Sequence, residues 1–162
     1  MKIELMEDLL LHELEDLYDA ERQLVEALPK MAQAAHSAQL QQAFRKHAKE
    51  TQRQVKQLEK AFKDFEHEPK SHVCKAMRGL ISEGNEVAKM TGEPDLIDAA
   101  LIGAGKKVEH YEMVSYGSAI SHAELLGMDR VAEILRGVLA EEVETDSKLS
   151  KLAVENLETA QA

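Results

Sequence analysis

The chain has 162 residues, 31% of them charged, and its formal net charge of −10 at pH 7 disfavours binding to nucleic acid phosphates. The single cysteine, Cys74, excludes an intramolecular disulfide framework, and no apolar run approaches the ~20 residues that span a bilayer. We therefore expect a soluble cytoplasmic protein that does not contact membranes. Leucine, alanine, glutamate and lysine dominate while prolines and glycines are few, which favours long helices and argues against a sheet.

The first two helices are predicted to form an antiparallel hairpin. Apolar residues spaced by three and four predict a first helix from about Glu4 to Ala35, with Pro29 kinking or ending its last turn. Ser37 is a suitable N-cap for a second helix that reaches roughly Phe65. Because so few residues separate the two helices, they must pack antiparallel.

One short and two long helices are predicted in the remaining sequence. The short helix covers about residues 71–90, and the long ones cover about 95–126 and 129–157. Two long helices, a connection long enough to cross the bundle, and two more long helices are typical of the ferritin-like four-helix bundle. We predict that residues 1–162 form a single all-α domain of this kind, with the short helix in the crossover.

Two of the glycines inside the third long helix lie close together, at positions 103 and 105. Each costs roughly 1 kcal/mol relative to alanine in a helix interior. We interpret Gly103 and Gly105 as positions where a neighbouring helix approaches closely.

Carboxylates interrupt the apolar stripe of each long helix near its middle. Glu142 and Glu21 both occupy positions where the spacing predicts leucine. Burying unpaired carboxylates is strongly unfavourable, and a divalent cation offsets their charge most completely. Because mid-helix positions of an antiparallel bundle meet in one cross-section, we predict a shared metal site. The predicted metal ligands are Glu21, Glu50, Glu109, Glu112, Glu142 and Asp146.

Other polar residues accompany these acids. His47 and Gln54 lie on the inward side of the second helix and can support the site as further ligands. Tyr116, one turn beyond Glu112, can donate a hydrogen bond to a ligand carboxylate or be an ordinary interfacial tyrosine. A lone histidine is more often a packing residue than a ligand, so the roles of His47 and His110 stay open, as does that of Cys74.

The competing interpretation is that acids of this kind lie solvated on the rim of the bundle or are protonated in its core. We favour a solvated rim position for a further group of acids flanking the stripes, namely Glu13, Glu15, Glu26, Glu141 and Glu144. For the joint pattern on four helices we favour the metal site.

Five segments carry a family resemblance: YDAERQL (18–24), HAKETQRQV (47–55), CKAMRGLISEGNEV (74–87), KVEHYEMVSYG (107–117) and LAEEVETDSKL (139–149). They resemble the YciF-like family of bacterial stress-associated proteins, in the family's order and at matching spacings over nearly the whole chain. The resemblance implies a ferritin-like fold, a homodimer and induction under stress. It implies the fold more strongly than any activity.

The predicted ligand set departs from that of ferritins and rubrerythrins, which use Glu-x-x-His on the second and fourth helices. Here Glu50 is followed by Arg53, and Glu142 by Thr145, so both histidines of the motif are missing. A carboxylate-rich site suits hard cations. The expected cofactors are two divalent metal ions, iron or manganese, with magnesium or calcium as alternatives.

Two functions follow as hypotheses. The first is a ferritin-like stress protein with a dinuclear metal site that is structural, or that reduces oxygen or peroxide or oxidises iron. The alternative is a metal-free helical dimer that acts in protein interaction or as a structural stress protein. A cage that stores iron is disfavoured by the short crossover helix and by the dimeric state that the resemblance implies.

Overall fold

A computed structural model describes residues 3–69 and 72–160, with side chains through residue 155. Within these residues every regular element is a helix, as predicted, and none of the helices is both long and apolar enough to cross a membrane. The five helices are α1 (Met6–Ala34), α2 (Ala38–Asp64), α3 (Lys75–Val87), α4 (Pro94–Leu125) and α5 (Asp129–Ala160).

The turn between α1 and α2 is stabilised by side chains from two sides. Ser37 Oγ accepts a hydrogen bond from the backbone N–H of Leu40 at 3.1 Å, which confirms the predicted N-cap. Asp98, buried on α4, accepts the backbone N–H groups of His36 and Ser37, each at 2.7 Å. Helix α1 continues through Pro29 to Ala34, close to the predicted end at about Ala35, so the proline does not end the helix.

The crossover helix α3 is shorter than predicted. It spans Lys75–Val87 instead of about 71–90, and the predicted start at Ser71 lies outside the described residues. The Cys74 sulfur caps the helix by accepting the backbone N–H of Met77 at 3.3 Å. The break between α4 and α5 is confirmed at Gly127, whose φ of 67° is a conformation that other residues rarely adopt.

The core of the bundle consists of two apolar clusters. The first includes Leu24, Phe44 and Leu101, and the second includes Leu14, Leu58 and Leu135. On each long helix the two clusters occupy opposite ends, and the polar interruptions lie between them. This arrangement confirms that the interruptions meet in one cross-section of the bundle, which we call the polar layer.

The glycines at positions 103 and 105 of α4 differ in their surroundings. A Cβ atom at Gly105 would lie 3.2 Å from Leu149 Cδ1 and 3.2 Å from Phe44 Cε1, so close helix approach is confirmed there. A Cβ atom at Gly103 would meet nothing within 4 Å, so close approach was the wrong explanation for that glycine.

We expect Gly103→Ala to raise the free energy of unfolding by about 1 kcal/mol, because alanine favours the helix and the added methyl has open space. Gly105→Ala gains the same helix propensity but forces Leu149 and Phe44 to move, so we expect it to be no more stable than the wild type. Urea unfolding of both variants measures the difference. Equal stabilisation by the two substitutions would contradict the close approach at Gly105.

Candidate metal centre

The polar layer is formed by buried side chains from all four long helices. None of them has more than 2% of its surface exposed. Its members are Glu21, His47, Thr51, Gln54, Glu109, Glu112 and Glu142. Four of the six predicted ligands therefore lie inside the bundle at one level.

Four members of this layer form a compact group, which we call the ligand cluster: His47, Glu109, Glu112 and Glu142. One nitrogen or oxygen atom from each residue lies within 4.8 Å of the corresponding atoms of the other three. His47 Nδ1 is 3.2 Å from Glu109 Oε1, and His47 Nε2 is 3.5 Å from Glu142 Oε2. One imidazole and three carboxylates at this spacing can hold a metal ion.

The hydrogen bonding of the cluster also fits a cation. Among the described residues, no N–H or hydroxyl group donates a hydrogen bond to either oxygen of Glu109 or Glu112, although the Glu142 carboxyl lies within hydrogen-bonding reach of Glu109 and could donate if protonated. The nitrogens of His47 are near two carboxylates but are not aligned for hydrogen bonds. Buried polar groups in proteins are rarely left without partners. A bound metal ion would take up carboxylate oxygens of Glu109 and Glu112 together with one nitrogen of His47, so the residues fit such an ion.

Electrostatics within the layer suit either protonated acids or a bound cation. Burial raises the pKa of Glu109 and Glu21 well above 4.5, and the nearby carboxylate of Glu142 raises both further. Burial also raises the pKa of Glu112, with Glu21 as the next cause. Without a cation these groups favour the protonated form. A divalent ion would reverse that preference and hold them ionised.

Glu21 lies beside the ligand cluster and has one oxygen without a partner. Its Oε1 accepts a hydrogen bond from the hydroxyl of Tyr116 at 2.5 Å, whereas Oε2 has no hydrogen-bond partner in the described part of the chain. Burial raises the pKa of Tyr116 well above its ordinary value, so this residue remains a hydroxyl donor. Of the two interpretations left open for Tyr116, the structure therefore shows the hydrogen bond to a candidate ligand.

Gln54 is the inward-facing residue of its helix turn, as predicted, whereas Arg53 is half exposed. The Gln54 amide nitrogen donates to Glu142 Oε1 at 2.5 Å and to Glu141 Oε2 at 3.0 Å. Its carbonyl oxygen, Oε1, is buried without a hydrogen-bond partner among the described residues. Gln54 therefore connects a member of the ligand cluster to a carboxylate at the surface.

The structure does not bring the other two predicted ligands into the cluster. Glu50 Oε1 lies 3.1 Å from Lys46 Nζ, because it directly precedes the inward-facing Thr51 and so points about 100° away around the helix. Asp146 lies between a lysine and a histidine on the α4–α5 side of the bundle, and 19% of its side chain is exposed. Its Oδ1 is 3.3 Å from Lys106 Nζ and 3.2 Å from His110 Nε2.

The expected rim position of Glu15 was wrong, since only 6% of this residue is exposed. Sequence reasoning also missed a network around Cys74, which joins three helices. The Cys74 sulfur lies 3.0 Å from the hydroxyl of Tyr111, which in turn donates a hydrogen bond to Asp16 on α1. Burial raises the pKa of the Cys74 thiol. No spacing in the sequence signals this network, because its members belong to three different helices.

Comparison with known proteins agrees with this architecture. Residues 5–162 match the family described as "Domain of unknown function (DUF892)". Protein YciF of Escherichia coli is 42% identical over 97% of this chain and 95% of its own length. The crystal structure of this E. coli stress protein has a TM-score of 0.94, at 42% identity, and covers 96% of this chain and 99% of its own.

Two further solved structures share the fold. YcfI from Rhodopseudomonas palustris is 41% identical, with a TM-score of 0.89 over 92% of this chain and 95% of its own. A protein from Xanthomonas campestris has a TM-score of 0.72 over 97% of this chain and 99% of its own, but at 21% identity it shows the fold alone. The predicted YciF-like resemblance is therefore confirmed, and the chain belongs to the DUF892 family.

Proposed function

We propose that the protein is a stress-associated, metal-binding member of its family that holds divalent cations inside the helical bundle. The observation that carries this proposal is the set of buried carboxylate oxygens of Glu109 and Glu112, to which no N–H or hydroxyl group of the described residues donates a hydrogen bond. The stress association rests on the description of the E. coli relative.

The ligand cluster would hold the first ion through His47, Glu109, Glu112 and Glu142. Glu21 would extend the site to a second ion, since its Oε2 has no described partner and its charge acts on Glu112. Tyr116 would keep Glu21 in place by donating to its other oxygen. Under this proposal Glu21 is a metal ligand, as predicted, whereas Glu50 and Asp146 lie outside the ligand cluster.

The donor set favours iron or manganese over magnesium or calcium. Carboxylates suit all four cations, but an imidazole ligand is typical of transition metals. If the ions are redox active, they would supply one-electron chemistry for the reduction of oxygen or peroxide or for the oxidation of iron. The enclosure of the ligands would restrict any such reaction to small molecules, and it equally suits a metal ion that stabilises the bundle.

A metal-free structural or protein-interaction role is the second candidate. It is favoured by the name of the R. palustris relative, which is given as a candidate structural protein. Under this function the carboxyl groups of Glu21, Glu109 and Glu112 would stay protonated, as their raised pKa values allow. The two candidates therefore differ in whether the buried acids are neutral or bound to a cation.

We also propose that the protein is a homodimer, which the family resemblance supports. We propose the cytoplasm as its location, which the single free Cys74 supports. Light scattering after size-exclusion chromatography would measure the mass against the 18.1 kDa of one chain.

Elemental analysis tests metal binding directly. We expect protein that is purified without chelator and reloaded with Mn²⁺ or Fe²⁺ to retain one or two equivalents of metal per chain. Binding to the folded state alone should also raise stability, by about 2.7 kcal/mol when free metal is 100 times its dissociation constant. Glu109→Gln should lose the metal, whereas Glu124→Gln, at an exposed position of the same helix, should retain it. Retention of less than about 0.2 equivalents after reloading would refute the proposal.

A further inference from the structure

The enclosure of the ligand cluster raises the question of how an ion reaches it. All four members have at most 2% of their surface exposed. An ion that reaches them from the solvent must therefore pass between other side chains of the bundle. We propose that cations reach the cluster between α2 and α5, from Glu141 at the surface past Gln54 to Glu142. This inference rests on the proposed metal-binding function and assigns its access route.

A single amide spans the distance from the surface to the cluster. The Glu141 side chain has 28% of its surface exposed, and its Oε2 accepts from Gln54 Nε2 at 3.0 Å. The same nitrogen donates to the buried Glu142 Oε1 at 2.5 Å. Two carboxylates that share one donor are both oriented toward the space between them. A cation arriving at Glu141 therefore meets the next carboxylate one side chain further inward.

Gln54 can assist the passage because its other polar atom is unused. Its Oε1 is buried and accepts no hydrogen bond from the described residues. Rotation of the terminal amide exchanges the positions of nitrogen and oxygen, and it would turn a neutral oxygen ligand toward the cation. The Gln54 amide would then no longer donate to Glu141 and Glu142, and the cation would interact with both carboxylates in its place.

Arg53 covers the outer end of this route. Its Nη2 lies 2.7 Å from Glu141 Oε1, on a side chain with about half of its surface exposed. Exposed ion pairs are weak, so this one can open, but its positive charge opposes an approaching cation. Arg53 would therefore slow the uptake of metal without contributing to the site.

Three other carboxylates near the polar layer, Glu50, Glu144 and Asp146, make no described hydrogen bond to the ligand cluster. Glu50 on α2 and Glu144 on α5 are both paired with Lys46, and none of their described hydrogen bonds reaches the ligand cluster. Asp146 on the α4–α5 side is held between Lys106 and His110, again without a described hydrogen bond to the cluster. These residues provide controls for the route.

The test compares two substitutions that remove the same charge from the same helix. We expect Glu141→Gln to lower the association rate of Co²⁺ about tenfold, and Glu144→Gln, at a side chain with 72% exposure, less than about twofold. Arg53→Gln should raise the rate. The chain has no tryptophan, so stopped-flow quenching of the fluorescence of its three tyrosines, among them Tyr116 beside Glu21, follows the arrival of Co²⁺. The amount of Co²⁺ bound at saturation should be the same in all variants.

Several results would overturn the route. Equal slowing by Glu141→Gln and Glu144→Gln would show that only the overall field of the protein matters. Slowing by Asp146→Asn without an effect of Glu141→Gln would place the route between α4 and α5. A lower Co²⁺ content of Glu141→Gln at saturation would make Glu141 part of the site. If the wild type binds neither Co²⁺ nor the Mn²⁺ or Fe²⁺ of the reloading experiment, the proposed function fails, and the route fails with it.

Discussion

Replacing Glu112 by leucine is expected to abolish metal binding and to stabilise the metal-free protein by about 1–4 kcal/mol. Glu112 is fully buried, and no described residue donates a hydrogen bond to either of its oxygens. Burial raises its pKa well above the ordinary value, with the charge of Glu21 as the next cause. Leucine removes both the burial of a carboxyl group and its repulsion by Glu21, and it can pack against the apolar clusters on either side of the polar layer. Denaturant unfolding in the presence of a chelator measures the gain.

Two other substitutions serve as controls for Glu112→Leu. Glu50→Leu makes the same exchange at a carboxylate that is paired with Lys46. It should therefore leave metal binding intact and should not stabilise the metal-free protein to a similar extent. Glu142→Leu should abolish metal binding but stabilise less, because it removes an acceptor from Gln54. If Glu112→Leu instead destabilises the metal-free protein by more than about 1 kcal/mol, Glu112 is satisfied by protein groups and the metal proposal loses its main support.

Acidification is expected to stabilise the metal-free protein. The pKa values of Glu21, Glu109 and Glu112 are raised in the folded state, by burial first and by neighbouring acids next, so folding favours their protonated forms. Their contribution to stability is complete below the unfolded-state pKa of about 4.5 and is lost as pH rises through the folded-state values. Between these limits the free energy of unfolding should fall by about 1.4 kcal/mol per pH unit for each extra proton that the folded state binds.

Urea unfolding of the metal-free protein from about pH 5 to pH 8 measures this slope. Glu112→Leu removes one of the titrating groups, so its slope should be shallower than that of the wild type. The metal-loaded protein should show the opposite trend, because protons compete with the cation for the same carboxylates. A metal-free slope that is identical in the wild type and in Glu112→Leu would mean that Glu112 does not titrate as described.

The helix order and the level of the site could be predicted from the sequence. Apolar spacing of three and four depends only on the helical period, so the four long helices are evident without any tertiary information. Glu21 and Glu142 stand where that spacing calls for leucine, and both are buried in the polar layer. The antiparallel order then places mid-helix positions together, because the helices have similar lengths.

The membership of the ligand cluster depended on the tertiary structure. Rotation of a whole helix about its axis by a few tens of degrees decides whether a given side chain faces the core or the edge of the bundle. The spacing of apolar residues does not define this rotation closely enough. That rotation places His47 in the cluster and leaves Glu50 beside Lys46. On α5 it buries Glu142 but brings Asp146 to Lys106 and His110.

Composition, periodicity and the interrupted stripes thus determined the all-α bundle and the presence of a carboxylate-rich layer at its middle, because these follow from each helix separately. Only the packed bundle decided which acids receive no hydrogen bond from the described residues, as is the case for Glu112, and which are paired, as Glu141 is with Arg53 and Gln54. The partners of a buried carboxylate come from other helices, far away in the sequence. Their positions are set by how side chains of all four helices fill one cross-section.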